Sequence, residues 1–166
     1  MDTLFRRKIY DEMLVWKKES NGESALLIEG PRRVGKSTIV RLFAQNEYRS
    51  HIIIDFAKAS TEEKNLFNDI SDLDYFFTRL KLLKGISLYE RESVIIFDEV
   101  QQYPIARQAI KYLVEDGRYD FIETGSLISI HKNVDNIVIP SEEESLCMYP
   151  MDYEEFRWAM NDETTM

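Results

Sequence analysis

The segment Gly30-Pro-Arg-Arg-Val-Gly-Lys-Ser37 sets two glycines, a lysine and a hydroxyl at spacings that suit the cradling of a phosphate chain. Gly30 and Gly35 permit backbone conformations and close approaches that a Cβ would block, so that successive N–H groups can converge on phosphate oxygens. A helix starting near Lys36 would add its positive N-terminal end to the same point. Lys36 would reach the β- and γ-phosphates, and the Ser37 hydroxyl would ligate Mg²⁺. Pro31, Arg32, Arg33 and Val34 fill the variable positions of the loop, and Thr38 follows it, so all belong to the candidate binding segment. The four fixed positions coincide by chance at about one start in 25,000, which makes accident a poor competitor in a chain this short.

A second chemical feature lies further on. The apolar run of residues 94–97 delivers Asp98 and Glu99 to the carboxyl end of a buried strand, where ligands of open α/β sheets bind. Asp98 would hold Mg²⁺ in its outer shell beside Ser37, and Glu99 could polarise an attacking water. A Glu directly after the Asp leans toward hydrolysis and away from small-molecule kinases. A hydroxyl after the next strand could touch the γ-phosphate or the water. Thr124 and Ser126 are the candidates, with Ser126 slightly ahead.

Positioning these groups requires an alternation of helices and strands, the pattern of a parallel sheet covered by helices on both faces. Phe5, Ile9, Met13 and Trp16 recur at helical spacing and predict a first helix that stops at Ser20-Asn-Gly22. Residues 25–28 and 51–55 read as strands buried on both faces, and residues 36–45 as a helix with Ile39, Leu42 and Phe43 inward. Leu73, Phe76, Phe77 and Leu80 form one helical stripe, more suited to a core than to stacking bases. Pro104 opens a helix with Ala106, Ala109, Ile110 and Leu113 on its inner face, and Gly117 closes it. A short strand begins at Phe121, and residues 146–149 are the candidate fifth strand, with Cys147 packed inside. Residues 141–145 read as a solvated loop, and Asp152, Glu154 and Glu155 as a solvated helix face.

Net charge is −9, unevenly placed: residues 115–166 hold 13 acidic and 3 basic side chains. Such a balance argues against broad duplex binding, which rests on Lys and Arg neutralising phosphates, so nucleic acid is not an expected partner of this segment alone. No stretch approaches the roughly 18 apolar residues of a membrane helix, and the N-terminus lacks the apolar run of a signal peptide, which together predict a cytoplasmic protein.

Leu-Ile-Glu-Gly-Pro-Arg-Arg-Val-Gly-Lys-Ser37, Val-Ile-Ile-Phe-Asp-Glu-Val-Gln101, the run to Thr-Gly-Ser126, and Met-Tyr-Pro-Met-Asp-Tyr-Glu-Glu-Phe156 together resemble the N-terminal AAA-type ATPase domain of bacterial and archaeal ATP-binding proteins. The resemblance spans nearly the whole chain. It implies a P-loop three-layer sandwich, a five-stranded parallel sheet of order 5-1-4-3-2, ATP or ADP and Mg²⁺ as ligands, and hydrolysis. It also implies a longer protein with winged-helix and nuclease-like parts, so the expected division is an N-terminal helix over residues 1–22, an ATP-binding domain over 23–150, and at 151–166 the start of a following helical segment. Self-association or a protein partner fits such a domain. One feature departs from the pattern: AAA-type domains usually carry an arginine near the fifth strand that reaches a neighbour's ATP, and residues 136–148 contain no Arg or Lys. Arg107 and Arg118 are substitutes by position only, and surface placement is the plainer expectation for both. Since such arginines contribute roughly 10³–10⁵-fold in rate, slow turnover is expected, and a nucleotide-dependent switch without turnover is the alternative.

Overall fold

The computed structural model describes residues 7–31, 34–126, 142–150 and 152–160. Arg32, Arg33, Phe5 and residues 136–141 of the stretch without Arg or Lys lie outside the described residues. Five parallel strands, β1 (Ala25–Gly30), β2 (Ser50–Asp55), β3 (Ser93–Asp98), β4 (Asp120–Ser126) and β5 (Glu143–Cys147), form one sheet of order β2-β3-β4-β1-β5. Read from the other edge, this is the order 5-1-4-3-2 that the resemblance implies.

Helices α1 (Lys8–Ser20) and α2 (Lys36–Glu47) cover one face, where Met13, Trp16, Val40 and Phe43 pack on Leu26, Ile28, Ile96 and Ile122. The short α3 (Thr61–Asn65) buries no residue and leads into a 3₁₀ turn, Leu66–Asp69, which buries Leu66 and Phe67; with α4 (Leu73–Lys84) and α5 (Pro104–Asp116) this turn covers the other face, where Phe76, Phe77, Ile110 and Leu113 join Leu27, Ile95, Phe97 and Phe121 in one core. A last helix, α6 (Tyr153–Ala159), follows β5. Strand position explains burial: β3 and β4 are central and buried at every position, which gives β3 its unbroken apolar run of residues 94–97, whereas β4 buries Asp120, Glu123, Thr124 and Ser126 beside Phe121 and Ile122. At the edge, β2 alternates, with Ile52 and Ile54 buried and Ile53 only half-buried, so the expectation of a strand buried on both faces fails there.

Other local expectations are corrected by the same logic. On α2 the inward residues are Ile39, Val40, Phe43 and Ala44, whereas Leu42 is half-buried. The fifth strand begins earlier than residue 146, taking in Glu143, Glu144 and Ser145, because an edge strand can keep polar side chains in solvent while its backbone pairs with β1. Cys147 is exposed on that edge, and the next residue, Met148, is the buried one. Tyr75 points out of the α4 stripe and lies under the Arg79 guanidinium, 5.5 Å from its ring centroid. No helix among the described residues is long and apolar enough to cross a membrane.

Candidate functional site

The carboxyl ends of β1, β3 and β4 converge on the loop between β1 and α2. Gly30 closes β1 where no side chain fits, since a Cβ there would stand 2.2 Å from the Met148 carbonyl oxygen. Gly35 turns the chain into α2 with φ of 99°, in the left-handed region that favours glycine. No side chain caps the first turn of α2, so its leading N–H groups face the loop. Lys36 is buried, and its Nζ donates to the carbonyl oxygens of Gly30 (3.1 Å) and Pro31 (2.8 Å), curling the ammonium over the loop's own backbone. The positive end of a 12-residue helix and a buried ammonium therefore meet at one loop, an arrangement that favours a multiply charged anion.

The acidic pair meets this loop directly. Asp98 is 3% exposed, and its Oδ1 accepts from the Ser37 hydroxyl at 2.8 Å and from the Thr124 hydroxyl, while its Oδ2 lies 3.7 Å from Arg41 Nη2. Thr124 Oγ1 in turn accepts the Glu99 backbone N–H at 2.9 Å. Glu99 itself stands in the left-handed region (φ 55°, ψ 51°), a conformation that costs a non-glycine residue on the order of 1–3 kcal/mol and persists where its surroundings enforce it. Residues from α2, β3 and β4, widely separated in sequence, are thus joined in one unbroken hydrogen-bonded chain, Ser37–Asp98–Thr124–Glu99. Ser126 is buried at the end of β4, opposite Gly30 in the strand register. Val34, Gly35 and Thr38 sit in or next to the loop as the motif requires, with Val34 and Gly35 half-buried.

Several side chains that sequence reasoning did not single out complete the surroundings. The Gln101 amide donates to Glu99 Oε2 at 2.5 Å from the short 3₁₀ turn Val100–Gln102. Arg7 donates to the Val34 carbonyl (3.0 Å), the Tyr149 carbonyl (2.6 Å) and Glu155 (3.2 Å), which ties the phosphate loop to the chain after β5 and to α6. Glu155 is therefore buried, contrary to its expected place on a solvated face. On the opposite face of β4, Glu123 is fully buried. Burial and then the neighbouring Glu143 carboxylate hold it protonated well above the usual carboxylate range, although Arg107 opposes the shift. Arg107 is not a surface residue either: it grips Glu143 with two nitrogens, at 2.7 and 3.1 Å, with both side chains almost completely buried. Arg118 is engaged by Asp116 and Asp74. The one visible signal of the buried cluster was an acid, Glu123, directly after the apolar pair Phe121-Ile122 of a strand; nothing in the sequence marked Arg7.

The oxygen donors fit a small hard cation. Ser37 and Asp98 bring a hydroxyl and a carboxylate into contact, and no group of three or more His, Cys, Asp or Glu side chains stands ready as a metal cage among the described residues. This donor set is poor for zinc and suits Mg²⁺, which keeps several waters and takes few protein ligands.

Comparison with known proteins supports the same reading of the fold. The AAA domain family matches residues 22–157. A search of curated proteins gave no match. Among solved structures, the Aeropyrum pernix ORC2 protein in its ADP form aligns with a TM-score of 0.51 at 14% identity, over 92% of this chain and 49% of that one. The Thermotoga maritima RuvB Holliday junction branch migration motor aligns with a TM-score of 0.52 at 12% identity, over 95% of this chain and 50% of that one. The chain thus spans about half the length of these two solved structures, and at these identities the likeness is one of fold. Its phosphate-loop geometry, sheet order and family match together make this chain a member of the AAA domain family, with the nucleotide-binding, ATPase-like domain of that family.

Proposed function

We propose that this domain binds ATP with Mg²⁺ in the loop Gly30 to Thr38 and hydrolyses it, using the energy to move a C-terminal partner domain. The observation that carries the reading is the hydrogen-bonded chain Ser37–Asp98–Thr124–Glu99, which links the predicted metal ligands to the predicted base. The backbone N–H groups of residues 34–37 and the α2 N-terminus receive the β- and γ-phosphates. Lys36 exchanges its two carbonyl partners for phosphate oxygens, which as charged acceptors hold an ammonium more strongly. Ser37 and Asp98 would hold Mg²⁺, which when bound neutralises phosphate charge. Glu99 accepts the proton of a water that attacks the γ-phosphorus, the bond to the β–γ bridging oxygen breaks, and ADP carries away the electron pair. Thr124 keeps the two acids in register, and Ser126, beside Gly30, is the residue placed to sense the γ-phosphate.

In this reading residues 1–22 are an N-terminal helix, 23–150 the ATP-binding domain, and 151–166 the beginning of the segment that leads to the partner domain; the protein works in the cytoplasm. A non-hydrolysing, nucleotide-dependent switch is the second reading, and one observation favours it. Both arginines that could have stabilised the transition state, Arg107 and Arg118, are held by carboxylates of the same chain. Turnover by the isolated chain is accordingly slow, and a cation from a second copy or a protein partner would raise it. Phosphate release by Glu99→Gln distinguishes the two readings. Hydrolysis predicts that release is abolished while ATP still binds; equal, near-zero release from both proteins with ATP bound establishes the switch instead.

A further inference from the structure

Residues 101 and 102 are both glutamine, yet Gln102 is exposed and Gln101 is 6% exposed. Removing a primary amide from water costs on the order of 1–3 kcal/mol unless its hydrogen bonds are replaced. In Gln101 the amide nitrogen donates to the Glu99 carboxylate, at 2.5 Å from Nε2 to Oε2. The turn around them is tightly specified: Gln102 N–H donates to the Glu99 carbonyl at 3.0 Å, Tyr103 N–H to the Val100 carbonyl at 3.1 Å, and Glu99 N–H to Thr124. The left-handed backbone of Glu99 and its anchor on Thr124 fix where the side chain leaves the main chain. They do not fix where a carboxylate three torsions further out comes to rest. Only Gln101 touches that carboxylate among the hydrogen bonds described above, and it engages one oxygen.

We infer that Gln101 is a positioning residue: it pins Glu99 through Oε2 and so presents Oε1 to the attacking water. The inference rests on the hydrolytic reading of Glu99 and deepens it. A base must stand within hydrogen-bond reach of the proton it removes, and a misplacement of about 1 Å can cost on the order of 100-fold in rate. A glutamate swinging on three torsions spends much of its time elsewhere, and an amide anchored in a rigid turn removes that freedom before nucleotide arrives. Substituting Gln101 therefore lowers the rate of the chemical step and is expected to leave nucleotide affinity alone, because the hydrogen bond it removes is made to the Glu99 carboxylate and not to a phosphate-binding or metal-binding group.

The test measures kcat for Mg·ATP hydrolysis and the Kd of a fluorescent ATP analogue for the wild type, Gln101→Leu, Glu99→Gln and the double variant. Leucine retains much of the volume without the donor. The expected result is a kcat lowered by about 10- to 100-fold in Gln101→Leu, an unchanged Kd, and a double variant no slower than Glu99→Gln alone. Should the leucine variant fail to fold, Gln101→Asn, whose amide is one methylene too short to reach, is expected to show the same loss of kcat with unchanged Kd. Unchanged or faster hydrolysis in a folded Gln101 variant, while Glu99→Gln is inactive, overturns the positioning role and leaves the hydrolytic reading standing. So does a Gln101→Leu effect that persists in full in the Glu99→Gln background, since it would not act through the carboxylate. If wild type and Glu99→Gln release phosphate at equal rates, the hydrolytic reading itself falls and takes this inference with it.

Discussion

Replacing Thr124 by valine keeps the shape of the side chain and removes one oxygen that serves two partners. Thr124 Oγ1 donates to Asp98 and accepts from the Glu99 backbone N–H at 2.9 Å, and the residue is fully buried. A hydrogen bond to a charged group contributes about 1.5–3 kcal/mol, and stranding a buried N–H costs about 1–3 kcal/mol. Asp98 keeps Ser37 and Arg41 as partners, which limits the first loss, so the combined destabilisation is about 3 kcal/mol. For a chain of this length that is about 6–12 °C in Tm. The assay is thermal and urea unfolding of wild type, Thr124→Val and Thr124→Ser, where serine restores the oxygen and is expected to recover most of the loss. Glu99 in Thr124→Val also loses the anchor of its left-handed backbone, so ATP hydrolysis should fall further than ATP binding. A Thr124→Val protein within about 0.5 kcal/mol of wild type would refute the claim that this hydroxyl holds the acidic pair together.

Two further outcomes follow from single contacts. Gly30→Ala drives a Cβ against the Met148 carbonyl, 2.2 Å away and part of a turn whose N–H bonds to Glu29, so it should cost at least about 2 kcal/mol and weaken nucleotide binding, as read by unfolding and titration. Glu123 is held protonated in the fold above its usual range, so the folded state binds the extra proton and stability falls as pH rises from about 4.3, the unfolded value, through the raised folded value. Glu123→Gln removes that titration, and its urea midpoint should decline less with pH than wild type over the same range; parallel curves would mean Glu123 is ionised in the fold.

The phosphate loop and acidic pair were legible because their chemistry is local or fixed by strand ends: two glycines, Lys36 and Ser37 in one loop, and Asp98-Glu99 after four apolar residues. Strands β1 and β3 were legible for a related reason, since burial on both faces leaves an apolar run in each, whereas β4, with only Phe121 and Ile122 apolar, read as shorter than its seven residues. Edge positions misled. Cys147 looked internal because it lies between Leu146 and Met148, but β5 is an edge strand among the described residues, which leaves Cys147 exposed while Met148, just past the strand, is buried. Charged residues misled most. Glu155, Arg107 and Glu143 read as solvated surface, yet each is buried against a partner 36 or more positions away, Arg7 for the first and one another for the last two. No periodicity encodes such pairings; they appear only when β5 and α6 are laid beside the rest of the fold.

Titration of Mg·ATP into wild type and Lys36→Ala is the most direct test of nucleotide binding at this loop. Saturable 1:1 binding by the wild type, weakened at least about tenfold in a Lys36→Ala protein that unfolds at the same temperature, is the predicted result. Equal affinity in the two proteins would contradict it, because the nucleotide would then be bound without the lysine that Gly30 and Pro31 hold over the phosphate loop.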